Sequence, residues 1–175
     1  MFPGNFWLAF VIPLVAFAVG AVWYGPLFGK AWQRLAGVTD ADIEQSNMIK
    51  VMGLAYVFAF FVALLLQMVV IHQFGLSGMF GMLPEWGDAG SALWQDLNAL
   101  DAKYGMYTRH RHFGHGALHG GFFGLAFVGP ILATHANFAR QTWRLPAIHT
   151  GYWVVTLALM GGLICQFMAL PLPPG

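Results

Sequence analysis

The stretch Val51-Met52-Gly53-Leu54-Ala55-Tyr56-Val57-Phe58-Ala59-Phe60-Phe61-Val62-Ala63-Leu64-Leu65-Leu66-Gln67-Met68-Val69-Val70-Ile71 contains no Asp, Glu, Lys or Arg. A helix needs roughly 20 residues to cross a hydrocarbon core of about 30 Å. Helix is also the open-ended conformation that leaves no backbone amide unpaired in lipid. Outward from this run, three others read the same way: Phe6–Tyr24, Phe113–Thr134 and Leu145–Leu170. Every charged side chain of the chain lies outside the four runs. The expected fold is all-α, a polytopic membrane protein with four transmembrane helices in one bundle. The chain reads as a single transmembrane domain over residues 1–175. Helices are expected near 6–24, 48–74, 113–135 and 145–170, with a partly helical extramembrane loop over 75–112.

Composition agrees. Charged residues make up 9% and apolar residues 58%, against about 25% and 45–50% in ordinary soluble domains. A net charge of +1 offers no basic patch, so nucleic acid is not an expected partner. The single cysteine, Cys165, lies in the fourth run and reads as a packing residue. Met1-Phe2-Pro3-Gly4-Asn5 lacks a positive n-region, so the first run is expected to be a retained span rather than a cleaved signal.

The loops carry a charge bias. Lys30, Arg34, Lys50, Arg140 and Arg144 fall on one side of a four-span chain, and Lys103, Arg109 and Arg111 on the other. The positive-inside rule places the first set inside, with both termini and loop 75–112 outside.

The first run ends in Trp23-Tyr24-Gly25-Pro26-Leu27-Phe28-Gly29-Lys30-Ala31-Trp32. Trp23, Tyr24, Pro26, Gly29 and Trp32 read as an interfacial anchor with a helix break, followed by a short amphipathic piece. Thr39-Asp40-Ala41-Asp42 reads as a helix N-cap with acids in the first turn. Pro13 is expected to kink the first helix. Leu93, Trp94, Leu97 and Leu100 are spaced for an amphipathic helix in the loop, and Pro171, Pro173 and Pro174 are expected to stop the last helix.

The third run opens with the densest stretch, Arg109-His110-Arg111-His112-Phe113-Gly114-His115-Gly116-Ala117-Leu118-His119-Gly120-Gly121-Phe122-Phe123-Gly124. Gly116, Gly120 and Gly124 form a small-xxx-small ladder, which lets another helix approach closely, within the bundle or across an oligomer. His112, His115 and His119 share one helix face. Neutral imidazoles ligate zinc, copper, iron and nickel. His72, at the end of the second run, is the natural further ligand and His110 another. The candidate metal set is therefore His72, His112, His115 and His119. Three readings stay open: a transition metal, a haem held by His72 with His115 or His119, or hydrogen bonding without any ligand. A pH-sensing role is a further possibility. His119 and His149 lie towards opposite faces and suit one porphyrin poorly. His135 and His149 sit near Arg140 and Arg144 and read as interface residues or contacts to an anionic lipid head.

The runs contain no intramembrane carboxylate or lysine, which disfavours a coupled transporter. No phosphate loop, nucleophile elbow or catalytic dyad is visible, so no catalytic residue is assigned.

The Trp23–Trp32 segment resembles the opening signature of the bacterial membrane family called domain of unknown function 1761. Thr142-Trp143-Arg144-Leu145, Gly151-Tyr152-Trp153-Val154-Val155-Thr156 and Met160-Gly161-Gly162 are similar to its closing part, with His119-Gly120 and Pro130 between. The long loop looks like a subgroup elaboration. The resemblance implies a small four-helix integral membrane protein and no activity, and the expected location is the bacterial inner membrane. The expected function is a non-enzymatic membrane component, self-associated or an accessory subunit of a larger membrane complex. The alternatives are a metal- or haem-binding membrane protein and a passive pore or lipid-binding protein. The bilayer is the one partner that the composition itself implies.

Overall fold

The structure, a computed structural model, describes residues 5–169. Leu170, Pro171, Pro173 and Pro174, expected at the end of the last helix, lie outside the described residues. Four helices are long and apolar enough to cross a membrane: α1 (Leu8–Leu27), α4 (Met48–Val70), α7 (Phe113–Phe138) and α8 (Arg144–Phe167). Shorter helices α2 (Gly29–Ala36), α3 (Asp40–Gln45), α5 (Phe74–Phe80) and α6 (Ala92–Tyr104) fill the connections. Among the described residues there is no strand. The architecture is the all-α, four-span one.

Several boundaries differ from those read off hydropathy. The second span stops at Val70, not near residue 74, because Ile71 turns extended at φ −110° and ψ 96°. Gln73 then reaches across to the loop, and α5 begins as a separate helix. The third span runs past 135 to Phe138, and Arg140, with φ of 53°, closes the turn after it. The first span continues beyond Tyr24 through a wide turn at Trp23–Leu27. The fourth leaves helical torsions at Met168.

α8 is the hub of the bundle, packed against α1, α2, α4 and α7. Leu157, Met160, Ile164 and Cys165 of α8 meet Ala63, Leu66 and Val70 of α4 and Ile12 of α1. α7 joins differently. Its buried positions are Gly116, Gly120, Gly124, Gly129 and Ala136. A Cβ on Gly116 would overlap Gly161 O and Cys165 Cβ, and one on Gly120 would overlap Leu157 O. One on Gly124 would sit 2.9 Å from Val154 Cα. The ladder therefore meets α8 of the same chain. The contact is backbone against backbone, where dispersion and close packing replace the hydrophobic effect as the driving force in lipid.

Local chemistry shapes the rest. Pro13 splits the start of α1 into Leu8–Val11 and Leu14–Val22. At Trp23–Leu27 Pro26 has no amide to donate, Gly25 takes non-helical torsions, and Phe28 N bonds back to Trp23 O at 2.8 Å. Gly29 passes so close to Tyr24 O that a Cβ would lie 2.6 Å from it. Trp32 then packs edge-on against Tyr24, with ring centroids 5.7 Å apart. The Trp23–Trp32 segment is thereby turned against α8. Trp23 Nε1 donates to Ile148 O at 3.0 Å, and Tyr24 Oη lies 2.7 Å from His149 Nδ1. In the loop, Ser91 caps α6 and Trp94 is buried beneath Trp86, donating to its carbonyl at 3.1 Å.

Candidate metal centre

The ends of α4 and α8, the start of α7 and Asn5 meet at one face, opposite the Ala139–Trp143 turn. Asn5 Nδ2 donates to Phe167 O at 2.5 Å, and Ala169 N donates to Asn5 Oδ1 at 2.7 Å. Gln73 is buried, and its Nε2 donates to the carbonyls of Met106 and Arg109 at 2.9 and 3.0 Å. That amide draws residues 105–112 across the mouth of the bundle. His110 adopts φ of 64° there, a region in which His is enriched among non-glycine residues. Its carbonyl accepts from the Cys165 thiol at 3.3 Å. Arg111 donates to Met168 O. Burial lowers the Arg111 pKa, yet a guanidinium stays charged at neutral pH.

His112 is the N-cap of α7. It is extended, and its Nδ1 accepts from His115 N at 3.2 Å. His115 and His119 follow one turn apart on the same face. The break at Ile71 delivers His72 to the same point. His115 Nε2 lies 2.9 Å from His72 Nε2. Ring centroids are 5.0 Å apart for His72 and His115, 4.8 Å for His72 and His119, and 4.4 Å for His115 and His119. One ring nitrogen from each of the three lies within 4.8 Å of the others. His110 stacks on His115 at 4.8 Å and 19°.

Of the four expected ligands, three converge and His112 does not join them. Its Nδ1 already serves the helix terminus, and its ring is 5.9 Å from that of His115. The arrangement also disfavours haem. Axial imidazoles flank a slot, whereas here His72 and His115 touch and His119 occupies the adjacent position. His149 is far from this mouth, bonded to Tyr24 near the other end of α8.

Three neutral imidazoles on one point can hold a single first-row transition ion. Zinc takes imidazole nitrogen at about 2.0–2.1 Å, which sets the ligand atoms roughly 3.3 Å apart in a tetrahedron. The His72–His115 pair is already inside that separation. Small rotations of His72, exposed and outside any helix, and of His119 close the rest. The donor set is imidazole alone and holds neither thiolate nor carboxylate.

Gln73, Cys165 and Asn5 build the mouth, and reading the sequence for ligands passes over them. A lone amide just beyond an apolar run, as at Gln73, is the signal that was available.

The family model described as protein of unknown function (DUF1761) matches residues 7–165. The chain belongs to this family. No curated protein and no solved structure matches it. DUF1761 is a family of unknown function and lends this member no activity.

Proposed function

We propose that this protein is a membrane-spanning metal-binding protein that holds one first-row transition ion on His72, His115 and His119. The observation that carries the reading is the convergence within 4.8 Å of three ring nitrogens, one from just beyond α4 and two from α7. Imidazole-only sites suit zinc, copper and nickel. Three protein ligands leave a fourth position for water or an incoming donor. The role that fits is capture, relay or sensing of the ion at the membrane surface. In this reading the mouth faces out from the bacterial inner membrane, with both termini, and the Arg140–Arg144 turn faces in, a topology supported by the charge bias of the loops.

The reading of an oligomer or accessory subunit loses the glycine ladder as its support, because α8 covers that face. The competing reading is a hydrogen-bonded histidine cluster without metal, supported by the 2.9 Å His72–His115 contact. Elemental analysis separates the two. Full-length protein purified without chelator and equilibrated with zinc should retain one ion per chain. His72→Ala and His119→Ala should each abolish retention, with the fold intact by circular dichroism. Protein that retains no zinc, copper or nickel leaves the histidines as a hydrogen-bonded cluster.

A further inference from the structure

At the opposite end of α8, a groove of about 580 Å³ lies between α2 and the first turns of α8. Arg34 of α2 and Arg144 of α8 both line it. Neither guanidinium forms an ion pair among the described residues, although α3 nearby carries Asp40, Asp42 and Glu44. Asp40 instead accepts from the Gln33 amide at 2.7 Å. Two unpaired guanidinium groups facing one groove make a site for an anion, and the planar fork of arginine matches the oxygens of a phosphate.

The walls around these charges are apolar: Phe28, Leu35, Trp143 and Ile148. A second cavity, of about 530 Å³, runs along α7 and α8 between Leu125, Ala133 and Val155, with Trp23 at its back. Trp143 and Ala147 line both cavities, so the two lie side by side along the first turns of α8. Trp143 is 76% exposed, in the manner of a ring at the headgroup level. A cationic cup beside an apolar groove on a membrane helix pair has the chemistry of an amphiphile site rather than of a free-anion site.

We propose that this double groove binds one anionic phospholipid, its phosphate between Arg34 and Arg144 and one acyl chain along α7 and α8. The site is independent of the histidine mouth. α8 has 24 residues, so its ends are about 36 Å apart at 1.5 Å per residue. The bound lipid joins α2, an extramembrane helix, to the α7–α8 pair.

Native mass spectrometry of the full-length protein tests this, with phosphatidylglycerol and phosphatidylcholine of identical chains. Wild type should retain phosphatidylglycerol roughly tenfold more strongly, because phosphatidylcholine brings its choline cation up to the same two guanidinium charges. Arg34→Gln with Arg144→Gln should bring it down to the phosphatidylcholine level, while Arg109→Gln, at the other face, leaves it unchanged. Ala147→Phe should weaken retention with both arginines intact. Glycerol phosphate at equal concentration should not displace the lipid. Equal retention of the two lipids, no loss in the double variant, or displacement by glycerol phosphate would overturn the proposal.

Discussion

His112 commits its Nδ1 to the backbone amide of His115, whereas His119 makes no hydrogen bond among the described residues. Substitution should therefore separate them. His112→Ala removes a cap and should lower stability by about 1 kcal/mol, within the usual range for caps, while leaving metal stoichiometry at one. His119→Ala should abolish metal retention with little change in the melting temperature of the metal-free protein. Thermal melts and elemental analysis on the same preparations check both. The shared face of His112, His115 and His119 was legible from their spacing. The division of labour was not, because spacing gives His112 equal standing. Its position just before the first helical residue was the clue to a cap. The left-handed turn at His110 and the Cys165 thiol bonded to it depend on tertiary packing, and nothing in the local sequence announces them.

At the scale of elements, the four spans were legible because lipid demands long apolar helices. Their ends were less so. Hydropathy continues through Ile71, where Gln73 draws the chain out of the helix, and through Tyr24, where Pro26 widens the turn instead of ending the span. The aromatic tips of Trp23 and Tyr24 needed polar partners, and composition alone cannot say that those partners lie on α8. The α7–α8 contact yields a paired test. Gly120→Ala places a methyl group into Leu157 O, so the helices must separate, at a cost of about 1–3 kcal/mol or more. Gly121→Ala meets Ala158 Cβ at an ordinary 3.5 Å and should be tolerated. Melting curves in mild detergent should fall for the first and hold for the second. The capping box of α3 gives a pH test. Thr39 Oγ1 and Thr39 N donate to Asp42 at 2.6 and 2.8 Å, holding its carboxyl below the ordinary range, the hydroxyl contributing most. Its contribution to α3 is full above the unfolded value of about 3.9 and is lost as pH falls through the lower folded value. Amide protection in Asp40–Gln45, taken relative to the unstructured exchange rate at each pH, should fall across that acid window, and Asp42→Asn should remove that fall.

Across the whole molecule, α8 ties the bundle together, and the His72–His115 contact joins the end of α4 to α7 directly. His72 follows α4, while His115 and His119 belong to α7, so an ion held by all three would clamp two spans. Ligand that binds only the folded state stabilises it by about 2.7 kcal/mol at a hundredfold excess over its dissociation constant. Zinc should raise the melting temperature of wild type and not of His72→Ala. Acid should cancel the gain, because ligation needs neutral imidazoles and protons compete for the same lone pairs. The second charged feature, Arg34 with Arg144, lies at the far face, so its lipid should leave this zinc response unchanged. X-ray absorption of the zinc-loaded protein tests the ligand set most directly. The account predicts nitrogen or oxygen neighbours at about 2.0–2.1 Å, with the outer-shell scattering of three imidazoles and no sulfur. A sulfur shell at about 2.3 Å, drawn from Cys165, or imidazole scattering that persists in His72→Ala with His119→Ala, would contradict it.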